Sequence, residues 1–306
     1  VAVLGTAHPH LADHLRAIAD HAEVAAVHPG RWRPVSPRQD PAAAVADADA
    51  AVICSTTAEH AELLAVSTRA GLPTLVEKPL ATGPAEALAL ARAAGGTAVS
   101  VAMFLRCAAV LRRARDLLAA GALGELVAAD AWFTHAGLLD GLFDGPAAWM
   151  LDPAWGPVGA MADLGVHLVD LLRWLRPHAP LRVRSTVLRR LPHGLPGDAG
   201  GTALLDWGGV PAALHTAWDC PAGGVRLRLA GTAAVLRTDG GRLLLTGRRE
   251  RPAEAHGAPD AADASAAFLA ALCHGTGLPL PGADDAAVCA RLMEEVLDAA
   301  RWTSVG

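Results

Sequence analysis

Ala51-Val52-Ile53-Cys54-Ser55-Thr56-Thr57 and, some twenty residues later, Thr74-Leu75-Val76-Glu77-Lys78-Pro79-Leu80 decide the fold of this 306-residue chain. Each opens as a short apolar run, the mark of a buried strand, and each closes in a polar turn. A helical stretch over 58–70 joins them and is broken by Gly71-Leu72-Pro73. The same alternation extends outward. Val1-Ala2-Val3-Leu4 ends at Gly5, a helix is predicted over 10–21, and a second strand over 24–27. A short helix near 42–46 precedes the quoted stretch, and a helix over 84–94 and a strand over 97–102 follow it. Strands alternating with helices predict an α/β fold with a parallel, doubly wound Rossmann sheet, whose ligands sit at the carboxyl ends of the strands. Gly5, Ser55 and Glu77-Lys78 all fall just past strand ends, so three polar turns are expected to converge on one edge.

Beyond residue 104 the pattern changes. An amphipathic helix over 108–120 leads to a strand over 126–133, a Gly-, Pro- and Trp-rich stretch over 136–159 that reads as mostly loop, and a helix over 160–175. Strand-like segments follow at 181–190, 201–207, 210–218, 224–230, 233–237 and 242–246, split by Gly-rich turns. Consecutive strands of this kind predict a second domain on an antiparallel or mixed sheet. Residues 247–262 are low in complexity and read as a surface loop, and helices over 263–274 and 283–301 close the chain. The expected domains are 1–104 and 105–306.

Composition excludes several classes. The net charge is −5 with interspersed signs, and the short basic runs lack interleaved aromatics, so no nucleic-acid groove is expected. No apolar run approaches the ~18–20 residues of a membrane helix. The five cysteines are odd in number and scattered, with no C-x-x-C pair, which reads as reduced thiols in a cytoplasmic enzyme. No secretory signal is read. The chain starts inside a strand, so a few upstream residues are expected to precede Val1.

Of 26 basic side chains, 25 are arginine, and Lys78 is the one lysine. Codon bias explains why lysine is rare, but not why the survivor sits beside Glu77 at a strand end. A guanidinium stays charged, forked and planar, and it cannot replace a compact donor that must yield a proton. Lys78 is therefore a candidate for chemistry; the alternative is a local ion pair with Glu77.

The first turn reads Gly5-Thr6-Ala7-His8-Pro9-His10. In a dinucleotide loop of the form G-x-G-x-x-G only the first glycine would stand, with Ala7 and His10 in the other two places. Backbone N–H groups at the start of the following helix can still attract a phosphate. The second strand ends in His28-Pro29-Gly30-Arg31 with no acid for the ribose hydroxyls. Arg31 and Arg33 could meet a 2′-phosphate there, which tilts the reading towards NADP over NAD; the alternative is a pair of exposed loop arginines. His8 and His10 lack the spacing and third ligand of a metal site, and none is expected.

A second constellation lies in the 160–175 helix. Asp163, His167 and Asp170 fall at i, i+4 and i+7, within an arc of about 60°. A carboxylate one turn away can orient an imidazole and tune it as a general base. The plain alternative is an amphipathic helix with its polar face in water.

Glu77-Lys78-Pro79 after a fourth Rossmann strand, followed by Gly159-Ala160-x-x-Asp163-x-Gly165-x-His167-x-x-Asp170, resembles the Gfo/Idh/MocA oxidoreductases, relatives of glucose–fructose oxidoreductase and inositol dehydrogenase. Cys54 to His60 is similar to that family's third-strand turn, Trp149 to Pro153 to its substrate-side loop, and Phe268 to Ala300 to its C-terminal helices. The resemblance implies a C-terminal α/β domain on a large open, mainly antiparallel sheet that often forms the oligomer contact, here a dimer or tetramer. It implies that the last helices, about 263–302, pack back towards the nucleotide domain. It also implies a nicotinamide cofactor and a sugar, polyol or cyclitol substrate. Carried over by position, Lys78 would contact the reacting hydroxyl, His167 would exchange its proton, and Asp163 would hold both substrate and imidazole. Ser55, Thr56, His60 and Glu77 join the cofactor side.

The chemistry expected is hydride transfer between a secondary alcohol carbon and nicotinamide. Arg106, Trp132, His135, Trp149, Trp155 and Asp170 are expected around the substrate, the alternative for such an aromatic-rich loop being simple packing. Two rivals share the fold: a lyase, epimerase or cyclase using Lys78 and His167 as acid and base, and a ligand sensor without catalysis.

Overall fold

The computed structural model describes residues 1–32, 40–156, 158–247, 253–278 and 280–304. Five short strands, β1 (Ala2–Leu4), β2 (Ala26–His28), β3 (Ala51–Ile53), β4 (Thr74–Val76) and β5 (Val99–Val101), form one parallel sheet in the order β2-β1-β3-β4-β5. Helices α1 (Leu11–His21), α2 (Pro41–Val45), α3 (His60–Arg69) and α4 (Pro84–Ala93) make the crossovers. The central strands are mainly apolar because both faces are covered: Val3, Leu4, Val52, Ile53, Leu75 and Val76 are fully buried. Each such side chain contributes about 1.5–3 kcal/mol.

The second sheet has nine strands. In chain order they are β6 (Leu126–Thr134), β7 (Leu181–Arg190), β8 (Asp198–Trp207), β9 (Val210–Ala217), β10 (Gly224–Gly231), β11 (Ala234–Asp239), β12 (Arg242–Gly247), β13 (Glu254–Ala255) and β14 (Ala300–Thr303). Their order is β13-β12-β11-β10-β6-β9-β8-β7-β14, antiparallel except for the pairs β6–β9 and β7–β14. The remaining helices are α5 (Ala109–Ala119), α6 (Ala160–Leu175), α7 (Ala262–His274) and α8 (Ala283–Asp298). Helix α6 packs on β6, β8 and β9, and α5 on β11 and β12.

Two expectations need correction. The last helix stops at Asp298, and Ala300–Thr303 joins the edge of the large sheet as β14. The run Ala300-Arg301-Trp302-Thr303 carries a β-branched and an aromatic residue, a weak strand signal that needed β7 as a partner to become one. The 247–262 stretch, read as a surface loop, carries the short strand β13 at Glu254–Ala255, paired with β12, whereas the 136–159 stretch is mostly loop as expected, with 3₁₀ turns at Leu142–Asp144 and Pro146–Leu151.

The chain divides into two compact units. The first holds Val1–Phe104, Leu142–Pro157 and Ala261–Arg291; the second holds Leu105–Gly141, Val158–Asp260 and Leu292–Gly306. The 142–157 segment thus belongs with the parallel sheet. Its Trp149 indole donates to the Ala7 carbonyl at 3.0 Å, and the Ala58 N–H donates to the Trp155 carbonyl.

Candidate active site

Within the first unit the glycine turn, the turn after β3 and the turn after β4 pack on one another. Gly5 holds φ +89°, and a Cβ there would lie 2.3 Å from the Ser55 Cβ, so only glycine fits. The His8 N–H donates to the Cys54 carbonyl, and the Thr6 hydroxyl donates to the Pro29 carbonyl at 3.1 Å. No side chain caps α1. Its first-turn N–H groups and the tight Gly5 turn fit a dinucleotide phosphate. His10, in the third glycine position, does not obstruct the helix. Its ring is one-third exposed and bonds Asp13 at 3.0 Å.

Glu77 anchors the turn that carries Lys78. One carboxylate oxygen accepts from His14 Nε2 at 2.7 Å and lies 3.5 Å from His8 Nδ1; the other accepts the Lys78 N–H at 2.9 Å. His14 Nδ1 in turn meets the Ser265 hydroxyl at 2.7 Å. Burial pushes Glu77 upward, but His8 and the His14 hydrogen bond outweigh it and hold the carboxyl well below its usual range. Burial drives His8 well below the ordinary imidazole value, against the pull of the Glu77 charge. Its Nε2 is buried with no hydrogen-bond partner among the described residues. His60 Nδ1 bonds the Pro79 and Leu80 carbonyls at 3.0 and 3.2 Å. Expected among cofactor ligands, His60 instead fastens the far side of the Lys78 turn. Lys78 itself is 4 % exposed, which separates it from a solvated surface cation.

Arg31, expected to face a phosphate, has its guanidinium 3.7 Å from Glu59 and 3.6 Å from Glu62, and it lies 5.9 Å from the Trp155 ring. Arg33 lies outside the described residues. Trp155, expected at the substrate, packs edge-on against Trp32 beyond the end of β2. Trp149 lies over the glycine turn, 6.0 Å from the His8 ring.

Within the second unit the polar stripe of α6 is buried, with Asp163, His167 and Asp170 each at most 6 % exposed. A solvated polar face is thereby ruled out. Asp163 Oδ2 accepts from Trp218 Nε1 at 3.0 Å and lies 4.0 Å from His135 Nε2. The His167 ring tilts against Phe133. Arg106 and Asp170, expected around the substrate, hold each other in a buried fork at 2.8 and 2.6 Å. Trp132 is placed elsewhere too. It stacks on His215 at 4.8 Å, on the face of the sheet opposite Phe133 and α6, because neighbours along a strand point to opposite sides.

Four participants went unmarked in the sequence: His14, Ser265, Trp218 and Asp198. The first lies one helical turn from His10, a periodic signal; the others come from distant segments. Asp198 Oδ1 accepts the Met161 N–H at 2.9 Å at the start of α6. Burial pushes its carboxyl up to about 7, aided by the Asp163 charge. Among the described residues no group of His, Cys, Asp and Glu is placed to hold a metal ion.

Residues 3–104 match the oxidoreductase family with an NAD-binding Rossmann fold, and residues 111–237 match the Gfo/Idh/MocA C-terminal domain. The chain belongs to the Gfo/Idh/MocA oxidoreductase family. Membership carries the Rossmann nucleotide fold and a nicotinamide cofactor. Among curated relatives, a 1,5-anhydro-D-fructose reductase from Ensifer adhaerens is 34 % identical over 131 residues, 42 % of this chain and 38 % of that protein. Solved members of similar fold include an inositol dehydrogenase homologue from Azotobacter vinelandii complexed with NAD+ (TM-score 0.81, 17 % identity, covering 97 % of this chain and 94 % of that one). Another is KijD10, a 3-ketoreductase from Actinomadura kijaniata, with NADP and TDP-benzene (TM-score 0.79, 23 % identity, covering 99 % and 98 %).

Proposed function

We propose that the protein is a nicotinamide-dependent dehydrogenase or reductase acting on a secondary alcohol or ketone of a sugar, cyclitol or related small molecule. The observation that carries this reading is the buried Lys78, the chain's one lysine, on a turn whose carboxylate is fixed by His14. The bound nicotinamide supplies the oxidising or reducing equivalents. Lys78 donates to the substrate oxygen and stabilises the alkoxide as it develops. His167 exchanges the hydroxyl proton as a general acid and base. Asp163, held by Trp218, orients substrate and imidazole.

Lys78→Met and His167→Ala are each expected to cut turnover by about 10²–10⁴-fold while the circular dichroism spectrum is retained. Near-normal turnover in either would refute the assignment. Fluorescence titration with NADH and NADPH tests the cofactor directly, and a panel of sugars and cyclitols finds the substrate.

A cytoplasmic setting fits the five cysteines, none of which is in a disulfide. No helix among the described residues is long and apolar enough to cross a membrane. The partner is a small molecule, with no role for nucleic acid or membrane. A homo-oligomer, dimer or tetramer, is proposed through the outer face of the nine-stranded sheet, where Val187, Leu204 and Leu244 are exposed.

A further inference from the structure

The end of β2 has no acid, yet a carboxylate stands there. Gly30 holds φ +80°, and a Cβ on it would lie 3.0 Å from Glu59 Oε1 and 3.5 Å from the Gly5 Cα. Glu59 therefore reaches the junction of the β2 end and the glycine turn from a different segment, the turn after β3. In a Rossmann sheet this junction is where an acidic residue meets the adenosine ribose. Glu59 is buried, its Oε1 accepts the Arg31 N–H, and its Oε2 accepts the Thr56 hydroxyl at 2.7 Å. A carboxylate has about four acceptor sites, so two remain for ribose hydroxyls.

Among the described residues the cation beside it is Arg31, which already faces both Glu59 and Glu62, at 3.7 and 3.6 Å. Among the described residues, a phosphate arriving here meets two carboxylates and one guanidinium. A hydroxyl can donate to this arrangement; a 2′-phosphate, which is anionic and accepts only, is repelled by it. We propose that Glu59, with Glu62 behind it, selects NAD over NADP, standing in for the acid that β2 lacks. This reverses the preference that Arg31 suggests when read in sequence alone. The inference rests on the use of a nicotinamide dinucleotide by this chain.

The test is equilibrium binding to the full chain, read by quenching of tryptophan fluorescence, with NADH and NADPH and with AMP and 2′,5′-ADP as fragment probes. Wild type is expected to bind NADH at least about tenfold more tightly than NADPH, and AMP more tightly than 2′,5′-ADP. Glu62→Gln, at an exposed position, is expected to narrow the gap severalfold by improving NADPH binding. Glu59→Gln should narrow it further, from both sides: weaker NADH and tighter NADPH. Glu62→Gln carries the test should Glu59→Gln fail to fold. Tighter NADPH binding by wild type, or a ratio unmoved by both substitutions, overturns the inference and leaves the dehydrogenase reading standing. Binding of neither dinucleotide overturns both.

Discussion

Arg106 and Asp170 show what single residues do when their surroundings are known. Each was a candidate for substrate contact on its own, yet their side chains are buried and joined by two short hydrogen bonds. A buried pair of this kind is most felt when one partner is removed, because the other charge stays behind in a poor solvent. Asp170→Asn is accordingly expected to lower unfolding stability by about 3–5 kcal/mol in denaturant titrations. The KM for substrate should move little in the folded fraction. A large KM change at full stability would restore Asp170 to the substrate. In the Lys78 turn, neighbouring side chains do the fastening, through Glu77 and His60.

At the scale of the element, α6 is capped from outside. Its N-cap is Gly159, which has no side chain to offer and holds φ +111°. Asp198, at the start of β8, supplies the missing acceptor to the Met161 N–H. A Cβ on Gly159 would lie 2.1 Å from Asp198 Oδ2, so the two positions are matched. The capping carboxyl is neutral over much of the acid range, since burial first, and Asp163 second, raise it from 3.8 to about 7. Folding thus holds a proton that the unfolded chain releases above about pH 4. Its contribution is fully present below that point and is lost as pH rises to about 7, a change of about 4 kcal/mol. Asp198→Asn keeps the neutral shape at every pH. The advantage of wild type over this variant in melting temperature is therefore expected to shrink steadily from pH 4 to pH 7. Parallel pH profiles for the two proteins would sink the idea.

At the scale of the whole molecule, the nine-stranded sheet is covered by α5 and α6 on one face, while Val187, Leu204 and Leu244 stand exposed on the other. Leu204→Arg with Val187→Arg is expected to convert an oligomer to a smaller species in light scattering, with the melting temperature of the protomer little changed. A monomeric wild type would remove the proposal. The order of strands and helices was legible in the sequence because each element advertises itself locally, by apolar runs of three or four residues or by the 3.6-residue stripe of α6. Glu77-Lys78-Pro79 and the Asp163–His167–Asp170 face were legible for the same reason: short spacing on one element fixes direction. What no spacing could show was pairing between distant segments. Trp132 turned to the far side of its sheet by strand parity, Trp155 settled beside Trp32, and Arg106 found Asp170. Residues 300–303 became a strand only by meeting β7. The sequence by itself determined the fold class and marked Lys78 and His167 as the candidates for chemistry, since local periodicity and residue type suffice for both. Tertiary structure alone decided which polar groups neutralise one another, because a buried charge is settled by whatever chain segment folding brings within about 3 Å of it.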